Sequence, residues 1–373
     1  MAQPNIIIIG AGVCGLSIAW ELLKQGASVT LFDKGMVGSG ATNSSGGMLA
    51  AGIENEPSEA KLWDLTKYSQ DLWVQYRHDL EKASGKNIDY RDHGTMMIAT
   101  NIDDMAQVDF LYTYQQKLGV DVQMLSAREI SKREPHLKTV GGMYCAHDHQ
   151  VDSILVSNAL ASVIENMGGV IHTQTEIIKI NAQNNIATGV TLLDGTIVPA
   201  DKVVVCAGIN TPTLEGIQDI VPVRPLKGQM VSLQMDINNP ILEHVVWTPR
   251  SYLIPKSNGT LLIGATVEEA GLNNDNTAGG IFALLEAAWR ALPATEDLKF
   301  LEHWVGHRPT ARDDCPILGK LSTENAYVAT GHHRNGILLT PATGKIMADE
   351  ILGSTDTATH SNFLNTFSIK RFL

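Results

Sequence analysis

The sequence lacks the features that identify several common classes of protein. Its four cysteines stand far apart without CxxC spacing, which argues against a disulfide scaffold and favours reduced thiols. The net charge is -12 and lysine and arginine form no cluster, so a nucleic-acid partner is not expected. No apolar run reaches the ~18 residues of a membrane helix, and no basic segment with a cleavable apolar core begins the sequence. We therefore expect a cytoplasmic protein with no secretory signal and no integral membrane segment.

Aromatic residues are also few, at 6%, but the remaining composition is that of an ordinary globular protein. Hydrophobic residues make up 44% and charged residues 18% of the 373 residues. A typical domain has about 100 to 200 residues, so a chain of this length can form two domains.

A glycine motif near the beginning of the chain is the most informative feature present. The apolar run 6–9 is followed by Gly10, Gly12 and Gly15 in GxGxxG spacing, then by a helical stretch and a second strand that ends at Asp33. This order predicts a strand, a tight turn, a helix whose N-terminus binds a pyrophosphate, and a carboxylate for a ribose hydroxyl. The alternative is a glycine turn that serves packing alone.

A run of small and hydroxyl-bearing residues follows directly, over residues 38–47. It favours an extended cofactor over NAD, because such residues approach a ligand closely and donate hydrogen bonds to it. The alternative is a flexible surface loop. Further along, the apolar strand 202–206 ends in Ala207 and Gly208, at the end of the strand where open α/β sheets bind ligands.

The overall pattern predicts an α/β fold, or α+β when the whole chain is counted. Residues 1–84, 146–222 and 306–373 are expected to form a discontinuous cofactor domain of the Rossmann type. Residues 85–145 and 223–305, with alternating strands and turns, are expected to form an antiparallel-sheet substrate domain. The last helix is predicted over 341–352, with Thr340 as its N-cap and Gly353 as its stop.

Several of these motifs together resemble those of the FAD-dependent amino-acid oxidases, the family of D-amino-acid oxidase and sarcosine oxidase. The resemblance rests on the glycine motif, the run 38–48, Cys206-Ala207-Gly208, the segment 306–309, and the segment 331–344, whose sequence is GHHRNGILLTPATG. It spans nearly the whole chain, and the segment 331–344 is most similar to the glycine oxidases of thiamine biosynthesis.

The resemblance implies roles for three residues of the reaction centre. Arg308 occupies the position of the arginine that holds the substrate carboxylate, and Tyr252 that of a tyrosine whose hydroxyl supports the same group. Arg334 is placed beside the flavin, where it contacts the ring or the substrate. Without the family, Arg308 is equally a surface ion-pairing residue, Tyr252 a half-buried strand aromatic, and Arg334 part of a structural salt bridge.

The resemblance also implies a substrate pocket and a cofactor site. Met48, Trp247 and Val267 are expected to line the pocket, although each is equally suited to packing. The expected cofactor is FAD, held without a covalent bond, because Cys315 lies beyond the position at which sarcosine oxidases attach it. The residues expected to contact FAD are Gly10, Gly12, Val13, Cys14, Gly15, Asp33, Lys34, Ser39, Ala41, Thr42, Ser45, Gly46, Gly47, Met48, Ile177, Ala207, Gly208, Arg334, Asn335, Gly336, Ile337 and Leu338.

The implied reaction is the oxidative deamination of glycine, sarcosine or a small D-amino acid. Flavin N5 accepts a hydride from the substrate Cα, which gives a 2-oxo acid and ammonia after hydrolysis and hydrogen peroxide after reoxidation by O2. The helix after Leu338 is expected to stabilise the reduced ring. The alternatives are a D-amino-acid dehydrogenase that passes electrons to a quinone, and a non-catalytic dinucleotide-binding protein. No metal is expected, and a homo-oligomer is possible from the family.

Overall fold

A computed structural model describes residues 3–354 and 358–373 of the chain. Residues 1, 2 and 355–357, which fall in two of the segments predicted for the cofactor domain, lie outside the described residues. The strands are β1 (Asn5–Ile9), β2 (Ser28–Phe32), β3 (Met48–Leu49), β4 (Thr95–Ala99), β5 (Val122–Ser126), β6 (Gly141–Cys145), β7 (His149–Gln150), β8 (Val170–His172), β9 (Ile177–Gln183), β10 (Ile186–Leu192), β11 (Ile197–Pro199), β12 (Lys202–Val205), β13 (Val223–Gln234), β14 (Val245–Trp247), β15 (Tyr252–Pro255), β16 (Thr260–Gly264), β17 (Lys299–Ala311), β18 (Ile317–Lys320) and β19 (Ala326–Thr330).

The α-helices are α1 (Val13–Lys24), α2 (Trp63–Ser84), α3 (Ile102–Lys117), α4 (Ala127–Arg133), α5 (Ser153–Asn166), α6 (Ala278–Ala291), α7 (Thr340–Leu352) and α8 (Ala358–Thr366). Short 3-10 turns include Gly208–Thr213 and His333–Asn335. Among the described residues, no helix combines the length and the apolar composition that crossing a membrane requires.

A six-stranded sheet carries the glycine motif at its centre. Its order is β18-β19-β12-β1-β2-β8, and all neighbours are parallel except β18 and β19. Ile6 and Ile8 of β1 pack into one apolar cluster with helices α1, α5 and α7, while Ile7 and Ile9 pack into a second cluster on the other face. The unbroken isoleucine run therefore forms a strand that is buried on both faces, as a parallel sheet between two layers requires.

An eight-stranded sheet forms the second large layer, with the order β17-β13-β16-β15-β14-β4-β6-β5. It is antiparallel except for the parallel pair of β14 and β4. Helix α6 packs on its apolar face through residues such as Leu284 and Ala288. Together with the parallel sheet, this confirms the predicted mixed α/β architecture.

The predicted division into two domains stays a prediction, although the sheets indicate where it applies. The strands of the six-stranded sheet come from the segments predicted for the cofactor domain, and β4, β5 and β13–β16 come from the other two. Strand β17 crosses the predicted boundary at residue 306, because it pairs with β13 over nearly its whole length.

The start of helix α7 differs from the prediction. Its N-cap is Leu339, and Thr340 lies inside the helix with its Oγ1 donating to the carbonyl oxygen of Gly336 at 2.9 Å. Thr340 is therefore not the N-cap, because the preceding turn already continues into the helix: the N–H of Leu339 donates to Asn335. The predicted stop is confirmed, since Gly353 has φ 67° and caps the helix in the left-handed conformation.

Candidate active site

The three glycines of the motif serve different purposes in the turn between β1 and α1. Gly10 has φ +108°, and a Cβ there would lie 2.4 Å from the carbonyl oxygen of Cys206. A Cβ on Gly15 would lie 2.1 Å from the carbonyl oxygen of Gly10. Gly12, in contrast, has negative φ, and a Cβ there would approach only Thr42 Oγ1, at 3.4 Å. Packing therefore requires the first and third glycines, while the second leaves space in front of the backbone.

The start of α1 is arranged as an anion site. Its N-cap, Gly12, provides no capping side chain, and the N–H of Val13 donates to Thr42 Oγ1 at 3.2 Å. The carboxylate of Asp33 accepts from the N–H groups of Ala11 and Gly35, each at 2.7 Å. Each carboxylate oxygen can accept a further hydrogen bond, so the predicted contact of Asp33 with a ribose is compatible with this geometry. The first-turn N–H groups and the helix dipole favour a bound phosphate.

The run after Asp33 folds back on the glycine turn. The N–H of Gly38 donates to Ala11, Gly46 and Gly47 are buried, and Ser45 accepts from Ser153 Oγ at 3.1 Å. This run is therefore packed at both ends, which is the opposite of a solvated linker. Ser39 and Ala41 are exposed at its outer turn.

Other residues predicted to contact the cofactor lie around the same edge of the parallel sheet. The N–H of Thr175 donates to the carbonyl oxygen of Asp33, which brings buried Ile177 at the start of β9 toward the end of β2. Lys34 donates to Asn210 at 3.0 Å, two residues after Gly208. These contacts place the residues beside one another, and their roles toward the cofactor stay predictions.

The turn before α7 presents a row of backbone donors. The N–H groups of Gly336, Ile337 and Leu338 have no acceptor within hydrogen-bond distance in the described part of the chain, although Ile337 and Leu338 are only 3% exposed. Buried N–H groups are almost always paired in native proteins. The three donors therefore fit a bound group with acceptor oxygens, and their contact with the flavin ring stays a prediction.

The histidines of this turn are neutral. Burial lowers the pKa of His332 to about 4, and its ring lies 3.0 Å from Thr343 Oγ1. Burial, together with nearby arginines, lowers the pKa of His333 to about 3, and its Nδ1 lies 3.0 Å from Thr310 Oγ1. Both rings therefore connect elements of the fold through hydroxyl groups.

Arg308 lies on β17 and its side chain covers Gly228 on the neighbouring strand β13. A Cβ on Gly228 would lie 2.7 Å from Nη1 of the guanidinium. Nη1 donates to the carbonyl oxygens of Thr266 at 3.3 Å and Lys227 at 3.5 Å. Among the described residues, no carboxylate forms a salt bridge with Arg308. The surface ion pair considered as an alternative is therefore absent from the described structure, and the cation has donors left for another anion.

Tyr252 and Trp247 lie side by side on β15 and β14, with ring centroids 5.2 Å apart. Burial raises the pKa of the Tyr252 hydroxyl, and the nearby charge of Arg308 opposes that shift. The Tyr252 ring packs directly against Gly264. A Cβ on Gly264 would lie 2.5 Å from the ring, so the packing requires glycine. The sheet therefore brings the tyrosine hydroxyl into the field of the arginine, and the roles of both residues toward a substrate stay predictions.

Arg334 is held by two acidic residues, Glu54 and Glu59. Its Nη2 donates to Glu59 Oε2 at 2.5 Å and to the carbonyl oxygen of Glu54 at 2.6 Å, and its Nε lies 3.3 Å from Glu54 Oε2. Burial raises the pKa of Glu54 to about 8, and the arginine opposes this shift. The structural salt bridge left open by the sequence is thus present, and direct contact of Arg334 with substrate stays a prediction. Sequence analysis missed Glu54, because nothing near it in sequence indicates a buried acid.

The predicted pocket residues differ in exposure. Met48 is half-buried on β3, and Trp247 is half-buried beside Tyr252. Val267 is 70% exposed, so it does not pack into the core. Cys315 is buried in the apolar cluster beneath the parallel sheet, where it acts as a packing thiol, and burial raises its pKa to about 11.

Known proteins resemble the chain over almost its whole length. The family described as FAD dependent oxidoreductase (DAO) matches residues 5–350. The glycine oxidase of Geobacillus kaustophilus is 32% identical over 351 residues, which cover 92% of each protein. The bifunctional protein ThiO/ThiG of Nostoc sp. is 31% identical over 361 residues, covering 93% of this chain but 52% of that protein. A crystal structure of glycine oxidase from Bacillus cereus superposes with a TM-score of 0.88 at 30% identity and covers 98% of both chains.

Proposed function

Because the chain belongs to the FAD dependent oxidoreductase family, we propose that it catalyses the FAD-dependent oxidative deamination of glycine or a similarly small amino acid. Sarcosine and small D-amino acids belong to the same substrate class. The similarity to glycine oxidases over most of the chain supports this reaction and does not favour the dehydrogenase or non-catalytic alternatives.

The observation that carries the proposal is the guanidinium of Arg308. Backbone carbonyl groups of Lys227 and Thr266 hold it from one side, and no described carboxylate neutralises it. A rigid fork of donors binds a carboxylate with two parallel hydrogen bonds, which suits the acid group shared by all amino acids. The hydroxyl of Tyr252 lies close enough for Arg308 to influence its pKa, so it can donate a further hydrogen bond to the same group.

The residues present also fit FAD. The open space at Gly12 and the start of α1 suit a pyrophosphate, and the unpaired N–H groups of Gly336, Ile337 and Leu338 suit carbonyl oxygens of the ring. When bound, FAD supplies the hydride acceptor for the Cα–H bond of the substrate. The chain itself orients the substrate through Arg308 and Tyr252, and it needs no acid or base residue for that step.

Close packing around Tyr252 supports a small substrate. A Cβ on Gly46 would lie 2.4 Å from Ile254, and a Cβ on Gly264 would collide with the Tyr252 ring. The space beside the Tyr252 ring is therefore already filled by the protein, which favours a substrate with a small side chain. Arg334 acts here as a positioning residue, because its contacts with Glu54 and Glu59 hold the segment after β3 against the turn before α7.

We also propose that O2 is the oxidant and that the protein is a cytoplasmic homo-oligomer with a role in thiamine biosynthesis. Four free cysteines are compatible with a reducing compartment. Mixing reduced enzyme with air-saturated buffer tests the oxidant, because rapid reoxidation is expected of an oxidase and slow reoxidation would instead support a dehydrogenase.

The main experiment is a peroxide assay with glycine, sarcosine, D-alanine and D-proline. Arg308→Ala is expected to retain bound FAD but lose roughly 100-fold in kcat/KM, because a charged hydrogen-bonded pair contributes about 1.5 to 3 kcal/mol. Arg308→Lys serves as the matched variant, since it keeps the positive charge without the forked guanidinium. Its kcat/KM should lie between those of the wild type and Arg308→Ala. Unchanged kinetics in Arg308→Ala would remove this residue from the site.

A further inference from the structure

Lys256 is a buried cation that the reaction described above does not use. It follows Pro255 at the end of β15 and is only 5% exposed. Its Nζ donates to the carbonyl oxygen of Val151 at 2.7 Å, to that of Gly46 at 2.9 Å and to Gln150 Oε1 at 3.2 Å. The three hydrogens of the ammonium group thus have three acceptors, all of them neutral.

Burying an ammonium group without a carboxylate partner is costly. Burial lowers the pKa of Lys256 to about 8, although Asp152 and Asp89 partly offset this shift and Arg91 adds to it. Both acids are engaged elsewhere: Asp152 caps helix α5, and Asp89 accepts from the N–H of Ser257 at 3.2 Å. An apolar side chain would avoid burying the charge but would leave the three acceptors unpaired, so the contribution of Lys256 lies in what its hydrogen bonds hold.

Those hydrogen bonds converge on Gly46–Met48, the segment predicted to contact FAD. The N–H of Val151 donates to the carbonyl oxygen of Gly47 at 2.8 Å, and Gly47 has φ +79°. A Cβ on Gly47 would lie 2.0 Å from the carbonyl oxygen of Val151 and 3.3 Å from Lys256 Nζ. Two consecutive glycines supply no side chains to anchor this segment and lose much conformational entropy on folding. Lys256 therefore supplies the anchor that the segment itself lacks.

We propose that Lys256 is a positioning residue that fixes the Gly46–Met48 segment for binding of FAD. The amide of Gln150 extends this arrangement, because its Oε1 accepts from Lys256 and its Nε2 donates to Pro255 at 3.0 Å. The proposal rests on the contact between this segment and FAD that belongs to the proposed function. It assigns Lys256 no direct contact with substrate.

The test is the affinity of the apoprotein for FAD. It is measured from the change in flavin fluorescence when FAD is titrated with apoprotein. Lys256→Met leaves the three acceptors unpaired, so the dissociation constant of FAD is expected to rise by about tenfold or more. Lys202→Met is the control, because Lys202 is also partly buried and donates to a backbone carbonyl oxygen, that of Ile351, which lies outside the glycine segment. Its FAD affinity should stay within about twofold of wild type.

The melting temperature of each apoprotein is measured as well, because it shows whether a loss of FAD affinity reflects the position of the segment or the general stability of the protein. A dissociation constant in Lys256→Met within twofold of wild type would overturn the proposal, whatever its melting temperature. If Lys256→Met does not fold, Lys256→Gln, which retains two donors, is titrated by the same criterion. FAD binding is measured without substrate, so a wild-type protein that binds FAD but oxidises none of glycine, sarcosine, D-alanine and D-proline would refute the proposed function and leave this inference standing.

Discussion

The glycine turn and the arginine site are assembled by contacts of very different range. At the glycine turn, Ala11 meets Asp33 only 22 residues away, within one strand-helix-strand unit. At the arginine site, Arg308 on β17 meets Thr266, 42 residues earlier, and covers Gly228 on β13. The hydrogen bonds of the glycine turn lie mostly within one local unit, although Gly10 also packs against Cys206, whereas the second site exists only after the register of the sheet is established.

The largest expected effect tests the local site. Gly10→Ala should lower the free energy of unfolding by about 3 kcal/mol or more, because the new Cβ meets backbone at 2.4 Å and φ is +108°. Urea denaturation of the apoprotein measures this change. Gly12→Ala is the matched control: its stability should lie within about 0.5 kcal/mol of wild type while FAD affinity falls. Equal destabilisation by both would show that packing alone explains the motif.

An intermediate effect is expected at the joint between the two regions, where Glu54 pairs with Arg334. The pKa of Glu54 is about 8 in the folded protein and near 4.5 when unfolded, so the folded state retains a proton that the unfolded state loses. This contribution to stability is complete below pH 4.5 and is lost as the pH rises toward 8. Glu54→Gln should therefore reduce the decline in unfolding free energy between pH 5 and pH 8, by about 1 kcal/mol or more.

Urea denaturation at both pH values provides the measurement, and Glu286→Gln is a matched control. Glu286 pairs with Arg290 in consecutive turns of α6, at the surface of the protein, so its replacement should leave the pH dependence unchanged. An identical decline in Glu54→Gln and wild type would mean that Glu54 is ionised in the folded protein.

The smallest effect is expected at Val267, on the loop that follows β16. Because this side chain is 70% exposed, Val267→Ala should change the free energy of unfolding by less than about 0.5 kcal/mol. If Val267 lines the substrate pocket, KM for D-proline should change more than KM for glycine, since only the larger substrate extends toward the pocket wall. Steady-state kinetics give KM for both substrates. Equal changes in the two KM values would exclude Val267 from the pocket.

The sequence analysis predicted the parallel sheet and the glycine turn because their signals are local. It did not predict strand β17, although that strand carries Arg308. The residues of β17 include Gly306 and Pro309 and show no regular alternation, a pattern that disfavours a strand. Strand β17 nevertheless forms because it lies at the edge of the eight-stranded sheet. An edge strand tolerates a proline and is not buried on both faces. Pairing with β13 is what makes this segment a strand.

The amino-acid sequence by itself determined the strand-turn-helix unit, the resemblance to a flavoprotein family, and the identity of Arg308 and Tyr252 as candidates. Only the tertiary structure decided that Arg308 has no carboxylate partner among the described residues, that Arg334 contacts Glu54 and Glu59, and that Lys256 donates to Gly46, more than 200 residues before it. The physical reason is that charge pairing and burial depend on neighbours brought together by the sheets, and those neighbours are distant in sequence.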